Sequence, residues 1–143
     1  MRRLALATML ALFVLVLPTQ ALAAIKIHKI QFDSPGSDRG SSASLNAEYI
    51  VIRNAGPVSV GLGAWTIRDI AGHVYRFPVG FRVGAGAKVW VHTGSGPSGA
   101  RDRYWGMGWY VWNNDGDTAR LRRANGSLAD ACSYSGAGSY TFC

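Results

Sequence analysis

Long apolar runs, helical periodicity, glutamate and chelating histidine pairs are what this sequence has least of. One apolar run exists, Leu4 to Leu17, and nothing like it recurs before the final "SYTFC". The run has fewer than the roughly 20 residues of a comfortable bilayer span. Past it, no stretch repeats apolar residues at helical spacing, which argues against a helix-built core or a coiled-coil rod. Glu48 is the only glutamate, so a paired-carboxylate mechanism would have to draw on aspartates in turns. His28, His73 and His92 are isolated, without the H-x-x-x-H or H-E-x-x-H spacing that chelates zinc. No G-x-S-x-G elbow is present. "GSGPSG", Gly94 to Gly99, matches a dinucleotide fingerprint in form only, because Pro97 and a non-amphipathic continuation stop a helix from opening under the phosphates. Catalysis therefore has no visible machinery, and no metal or other cofactor is expected.

Cysteine is nearly as scarce. Cys132 and Cys143 are the only two, and no cysteine follows the apolar run to carry a lipid. The start of the chain has the three parts of a secretory signal peptide: Arg2 and Arg3, a short apolar middle, and Ala21-Leu22-Ala23. The expectation is a leader over residues 1–23 and one exported domain over 24–143, with an uncleaved anchor as the alternative. In an exported chain an even pair of cysteines reads as a disulfide, here tying the last residues back to the final strand.

Charge is what the sequence does have. Fifteen Lys and Arg against eight Asp and Glu give +7, and setting aside Arg2 and Arg3 leaves +5. Ten of the thirteen remaining cations are arginine. Forked guanidinium donors suit phosphate-bearing polymers or lipid head groups, although a modest positive charge also simply keeps an exported domain soluble.

Short runs of β-branched and aromatic residues recur, separated by turns rich in the chain's 18 glycines. Strands are expected over 25–33, 48–54, 59–62, 65–69, 74–77, 88–93, 109–112, 118–123 and 127–134. "KVWVHT" and "TARLRR" alternate apolar with polar and read as half-buried strands, while "EYIVIRN" is apolar on both faces and reads as central. In "IKIHKIQF" the apolar parity changes between Ile27 and Ile30, as a β-bulge would make it. The architecture expected is all-β, a single-domain, immunoglobulin-like antiparallel sandwich of short strands. In "NNDGDTARLRR", Asp115 and Asp117 resemble the start of a calcium loop, but the closing glutamate and flanking helices are missing. Hairpin chemistry is the simpler reading: Asn114-Asp115-Gly116 tolerates left-handed backbone and a carboxylate accepts turn amides.

"AEYIVIRNAG", "VGLGAWTIRDIAGHVYRFP", "GAGAKVWVHTGSG" and "YVWNNDGDTARLRRANGSLAD", in that order, resemble the lamin tail domain in its stand-alone, exported bacterial form. The resemblance runs from about Ile25 to Tyr134. It implies an immunoglobulin-like sandwich and a binding or accessory module without catalytic residues. It also implies structural roles for Glu48, Asn54, Trp65, Asp69, Gly72, Phe77, Pro78, Gly94, Trp112, Asn113, Asn114, Gly116, Asp117 and Leu121. The relatives with a rod domain bind proteins, and a DNA-binding role has been proposed for them. This chain lacks the rod, so filament assembly does not carry over.

Two binding surfaces are candidates: Arg120 and Arg122 on the outer side of one strand with Arg123 at its end, and "RDRYW" with Arg101, Arg103, Tyr104 and Trp105, joined by Trp109. Arginines beside rings hold phosphates while the rings stack on sugars or bases. Against this stands the plainer reading, in which the tryptophans cap the core and the arginines form a solvated face. The expected partner is an anionic polymer, nucleic acid included, or a protein of the cell envelope. A purely structural protein-interaction domain and a hidden hydrolase remain as alternatives.

Overall fold

A computed structural model describes residues 24–143. The expected leader lies outside the described residues. Three sheets form. The first has the order β11-β1-β2-β7-β8 and uses β1 (Ile25–Gln31), β2 (Tyr49–Asn54), β7 (Lys88–His92), β8 (Asp102–Tyr104) and β11 (Tyr140–Phe142). The second has the order β10-β9-β4-β5, with β4 (Thr66–Arg68), β5 (Val74–Arg76), β9 (Asp117–Arg122) and β10 (Leu128–Tyr134). A small ribbon pairs β3 (Val60–Gly61) with β6 (Arg82–Val83).

Alternation in the sequence becomes two apolar faces that meet. Ile25, Ile27, Ile30, Ile50, Ile52, Val89 and Val91 from the first sheet share one buried cluster with Ile67, Tyr75, Ala119 and Leu121 from the second. Val60 and Val83 of the ribbon, with Trp65, Phe77 and Trp112, fill the same cluster. This is the all-β immunoglobulin-like sandwich, and burial of its apolar area is the main stabilising term. The bulge falls where the parity change put it, since Ile27 pairs with Ile52 but Lys29 with Val51. β2 is central, and its outward Val51 is buried between the cross-strand neighbours Lys29 and Trp90.

Four details differ from the sequence reading. Residues 109–112 form no strand, because the amides of Val111 and Trp112 donate to the Glu48 carboxylate, at 2.7 and 3.2 Å, instead of to a neighbouring strand. A strand forms instead at β8, inside the charged stretch expected to be a loop, and it runs parallel to β7 in an otherwise antiparallel architecture. A six-residue helix, α1 (Ser42–Ala47), occupies a stretch read as linker; Ser41 caps it and Leu45 is its one buried side chain. The chain end forms β11 against β1, and its last residue closes the disulfide Cys132–Cys143 with Cα atoms 5.9 Å apart. That bond joins a strand of the second sheet to the edge of the first.

Candidate functional site

The outer face of the second sheet is built by strand parity alone. Ile67, Tyr75, Ala119 and Leu121 point inward, so their neighbours point out. Arg68 stands opposite Arg120 and Val74, while Thr66 stands between Arg76 and Arg122. Four guanidinium groups, on Arg68, Arg76, Arg120 and Arg122, thus share one open face across three strands. Among the described residues none of them is in an ion pair. Arg122 donates to the Gly126 carbonyl at 3.0 Å and Arg76 to the Ala64 carbonyl at 3.2 Å, which leaves most of their forks free.

The aspartates near this sheet keep their charge but have their oxygens engaged by other protein donors, so none forms an ion pair with these arginines. Asp69 is buried and takes the amide and ring of His73 at 2.6 and 2.5 Å, within a turn whose Gly72 sits at φ 96°. Asp117 accepts from the amides of Ile70, Thr118 and Asn113, and Asp130 from the amide of Ile27. An open recess of about 480 Å³ lies between Arg68, Arg120 and Arg122, floored by Asp69, Gly72 and Gly126. Its chemistry is that of an anion receptor: three guanidinium groups against one carboxylate, that of Asp69, already bonded to His73, and access from solvent.

The other expected surface does not assemble. The Arg101 guanidinium lies over the Trp90 ring at 4.6 Å, and Tyr104 stacks on His92 at 5.0 Å. Arg103 lies over Phe81 and donates to the Tyr75 hydroxyl at 3.2 Å. Trp105 packs against the core beside Tyr75 and Trp112. Arg123 covers Trp65 at 5.8 Å and donates to the Leu128 carbonyl at 2.7 Å. Trp105 packs on the core, whereas Arg101 and Tyr104 lie over Trp90 and His92 on the outer face of the first sheet. Trp109 stands elsewhere, near Gly40, and is exposed.

Glu48 is a buried carboxyl that three donors from two separate stretches converge on. Its Oε1 accepts from the Thr93 hydroxyl at 2.6 Å and from the Val111 and Trp112 amides, while Oε2 is buried without a partner. Burial pushes its pKa up to about 7, against the downward pull of those hydrogen bonds. His92, expected on the solvent face, has both ring nitrogens committed, to Asp102 at 2.9 Å and to the Asn46 carbonyl at 2.8 Å.

The lamin tail domain model matches residues 18–136. The chain belongs to that family. Lamin tail domains have a non-catalytic, immunoglobulin-like fold, and the sandwich described above is that fold. No curated protein matches the chain.

As a lamin tail domain, the chain uses the sequence-marked residues as follows. Trp65, Phe77, Trp112 and Leu121 are buried in the common cluster. Asn54 ties a loop to the ribbon by donating to the Val58 and Val83 carbonyls and accepting from the Gly56 amide. The Pro78 carbonyl accepts from the Phe81 amide to close a turn, and a β-carbon at Gly94 would stand 2.5 Å from Oδ1 of Asn46. In the stretch from Asn113 to Asp117, the Asn113 side chain donates to Asp117 at 3.2 Å and Gly116 turns at φ 132°. Asp117 is therefore saturated with protein donors, which is turn chemistry. Asn114 instead reaches Asp38 at 3.1 Å. Arg68 and Arg76 are the residues the sequence reading missed. Their signal was present in "WTIRD" and "VYRF", where the same alternation that exposes Arg120 exposes them.

Proposed function

We propose that the chain is an exported binding module that holds an anionic polymer at the cell envelope on the arginine face of β9, β4 and β5. The observation carrying this is the like-charged pair Arg68 and Arg120, directly opposite each other on an open face, with neither in an ion pair and the neighbouring Asp69 carboxylate turned to His73. Such a pair costs the free domain stability, about 0.2–1 kcal/mol. A polyanion turns that cost into binding, because phosphates or carboxylates accept both forks. The leader-like start and the cysteine pair at bonding geometry support export, since disulfides persist in oxidising compartments.

Binding of the purified full chain to a single-stranded oligonucleotide and to polyphosphate tests this, with the double variant Arg68→Gln/Arg120→Gln as the comparison. The variant should bind at least tenfold more weakly while melting no lower than the wild type. Equal affinity for wild type and variant removes the arginine face from the function and leaves a protein-interaction role.

A further inference from the structure

A second concave site, sharing no residue with the arginine face, lies where residues 33–40 meet residues 109–114. A recess of about 240 Å³ is lined there by Asp38, Trp109, Tyr110, Trp112, Asn113 and Asn114. Trp109 leaves 59% of its surface open, so an indole face is accessible at the recess. The ring is nevertheless held in place. The Gly40 backbone lies so close that a β-carbon there would stand 2.8 Å from Cζ3 of the indole. Tyr110 meets it edge-on, with centroids 5.3 Å apart and planes at 74°. The Tyr110 hydroxyl is fixed in turn, accepting from the Gly40 amide at 3.2 Å and sharing a hydrogen bond with Ser44 at 2.5 Å.

Around this plate lie several acceptor oxygens, with the indole N–H groups of Trp109 and Trp112 as donors without partners among the described residues. The Asn114 amide nitrogen donates to Asp38 at 3.1 Å and to Asp33 at 3.4 Å, and that of Asn113 donates to Asp117 at 3.2 Å. Asn114 thus uses both N–H donors and Asn113 one of its two, while the two amide oxygens and the second oxygen of Asp38 make no hydrogen bond among the described residues. No Lys or Arg lines the recess, so an anion is disfavoured. What fits is a ligand with one weakly polar C–H face for the indole and several hydroxyl donors at its rim, which is a pyranose ring. The volume is below the roughly 300–1,000 Å³ of sites for drug-sized ligands, which restricts occupancy to one such ring. A quaternary ammonium group would need several open ring faces around it. Here Trp112 is buried, and the exposed indole is the single plate.

We propose that this recess is a saccharide subsite that stacks one uncharged pyranose ring on Trp109 and accepts its hydroxyl protons at Asp38, Asn113 and Asn114. The site does not depend on the arginine face. The full chain would be titrated with the trimers of glucose (β-linked and α-linked) and of N-acetylglucosamine, following the indole N–H resonance of Trp109. At least one trimer should shift that resonance saturably. Trp109→Ala should weaken binding more than tenfold, and Trp109→Phe, which keeps a plate, much less. Gly40→Ala, which displaces the ring, and Asp38→Asn should each weaken it several-fold with the Cys132–Cys143 bond intact. Arg68→Gln/Arg120→Gln should bind saccharide as the wild type does, which separates failure of this site from failure of the polyanion face. The proposal is overturned if no trimer moves Trp109, if Trp109→Ala binds as the wild type does, or if tetramethylammonium moves Trp109 where the trimers do not.

Discussion

Glu48 shows how one side chain can settle the course of a loop. Its Oε1 collects the hydroxyl of Thr93 and two main-chain amides from residues 63 and 64 positions later. Those amides would otherwise be buried donors without partners, each a loss of about 1–3 kcal/mol. Burial raises the Glu48 pKa to about 7 from an ordinary value near 4.5. The native state therefore binds a proton that the unfolded chain has released between those pH values. Its stabilising contribution is complete below pH 4.5 and is lost as pH rises through 7. A shift of that size corresponds to at most about 3 kcal/mol. Thermal melts should accordingly fall between pH 5 and pH 8. Glu48→Gln keeps an oxygen for the same three donors and cannot ionise, so its melting temperature should stay flat across that interval. A wild type as stable at pH 8 as at pH 5 would contradict the assignment.

Among the elements, β11 is the one whose presence depends on a covalent bond. It has three residues, lies at a sheet edge, and leaves Tyr140 and Phe142 exposed. Packing alone is a weak anchor for so short an edge strand, and the Cys132–Cys143 bond closes a loop with a sequence separation of 11. Loss of a crosslink of that span costs roughly 3 kcal/mol in the chain-entropy account. Cys143→Ser should stay folded, melt lower, and exchange amide hydrogens faster in residues 29–31 of β1, while β2 and β7 keep their protection. What the sequence discloses at this scale follows from locality. The bulge in β1, the central place of β2 and the half-buried β7 and β9 were legible because parity within one strand reports them. β8 was not, because "RDRY" has no apolar alternation and is held by contacts across the sheet, Arg101 on Trp90 and Tyr104 on His92. Residues 109–112 were misread for the converse reason. They have a strand's composition, but Glu48 takes their amides. The arginine face was half legible: Arg120 and Arg122 declare themselves, whereas their union with Arg68 and Arg76 depends on strand order, which no single strand encodes.

For the whole molecule, the question is whether binding tracks net charge or the forked geometry of one face. Outside the expected leader, 13 Lys and Arg against eight Asp and Glu leave a formal charge of +5, and any cationic domain attracts polyanions to some extent. Four arginines contacting four phosphates would give a logarithmic salt slope of about −3 on a single strand. Replacing one of them by glutamine should reduce the slope by about 0.7. Replacing Lys26, which pairs within the first sheet and lies off that face, should leave the slope in place. The decisive comparison is a variant with Arg68, Arg76, Arg120 and Arg122 all changed to lysine, which keeps the charge and loses the forks. If net charge governs, this variant binds as tightly as the wild type at every salt concentration. If the face is a receptor, the slope survives because the phosphates are still neutralised. Affinity should then drop several-fold, because a lysine ammonium cannot hold two oxygens of one phosphate in a plane. An unchanged slope with a lowered intercept is therefore the expected signature of this domain.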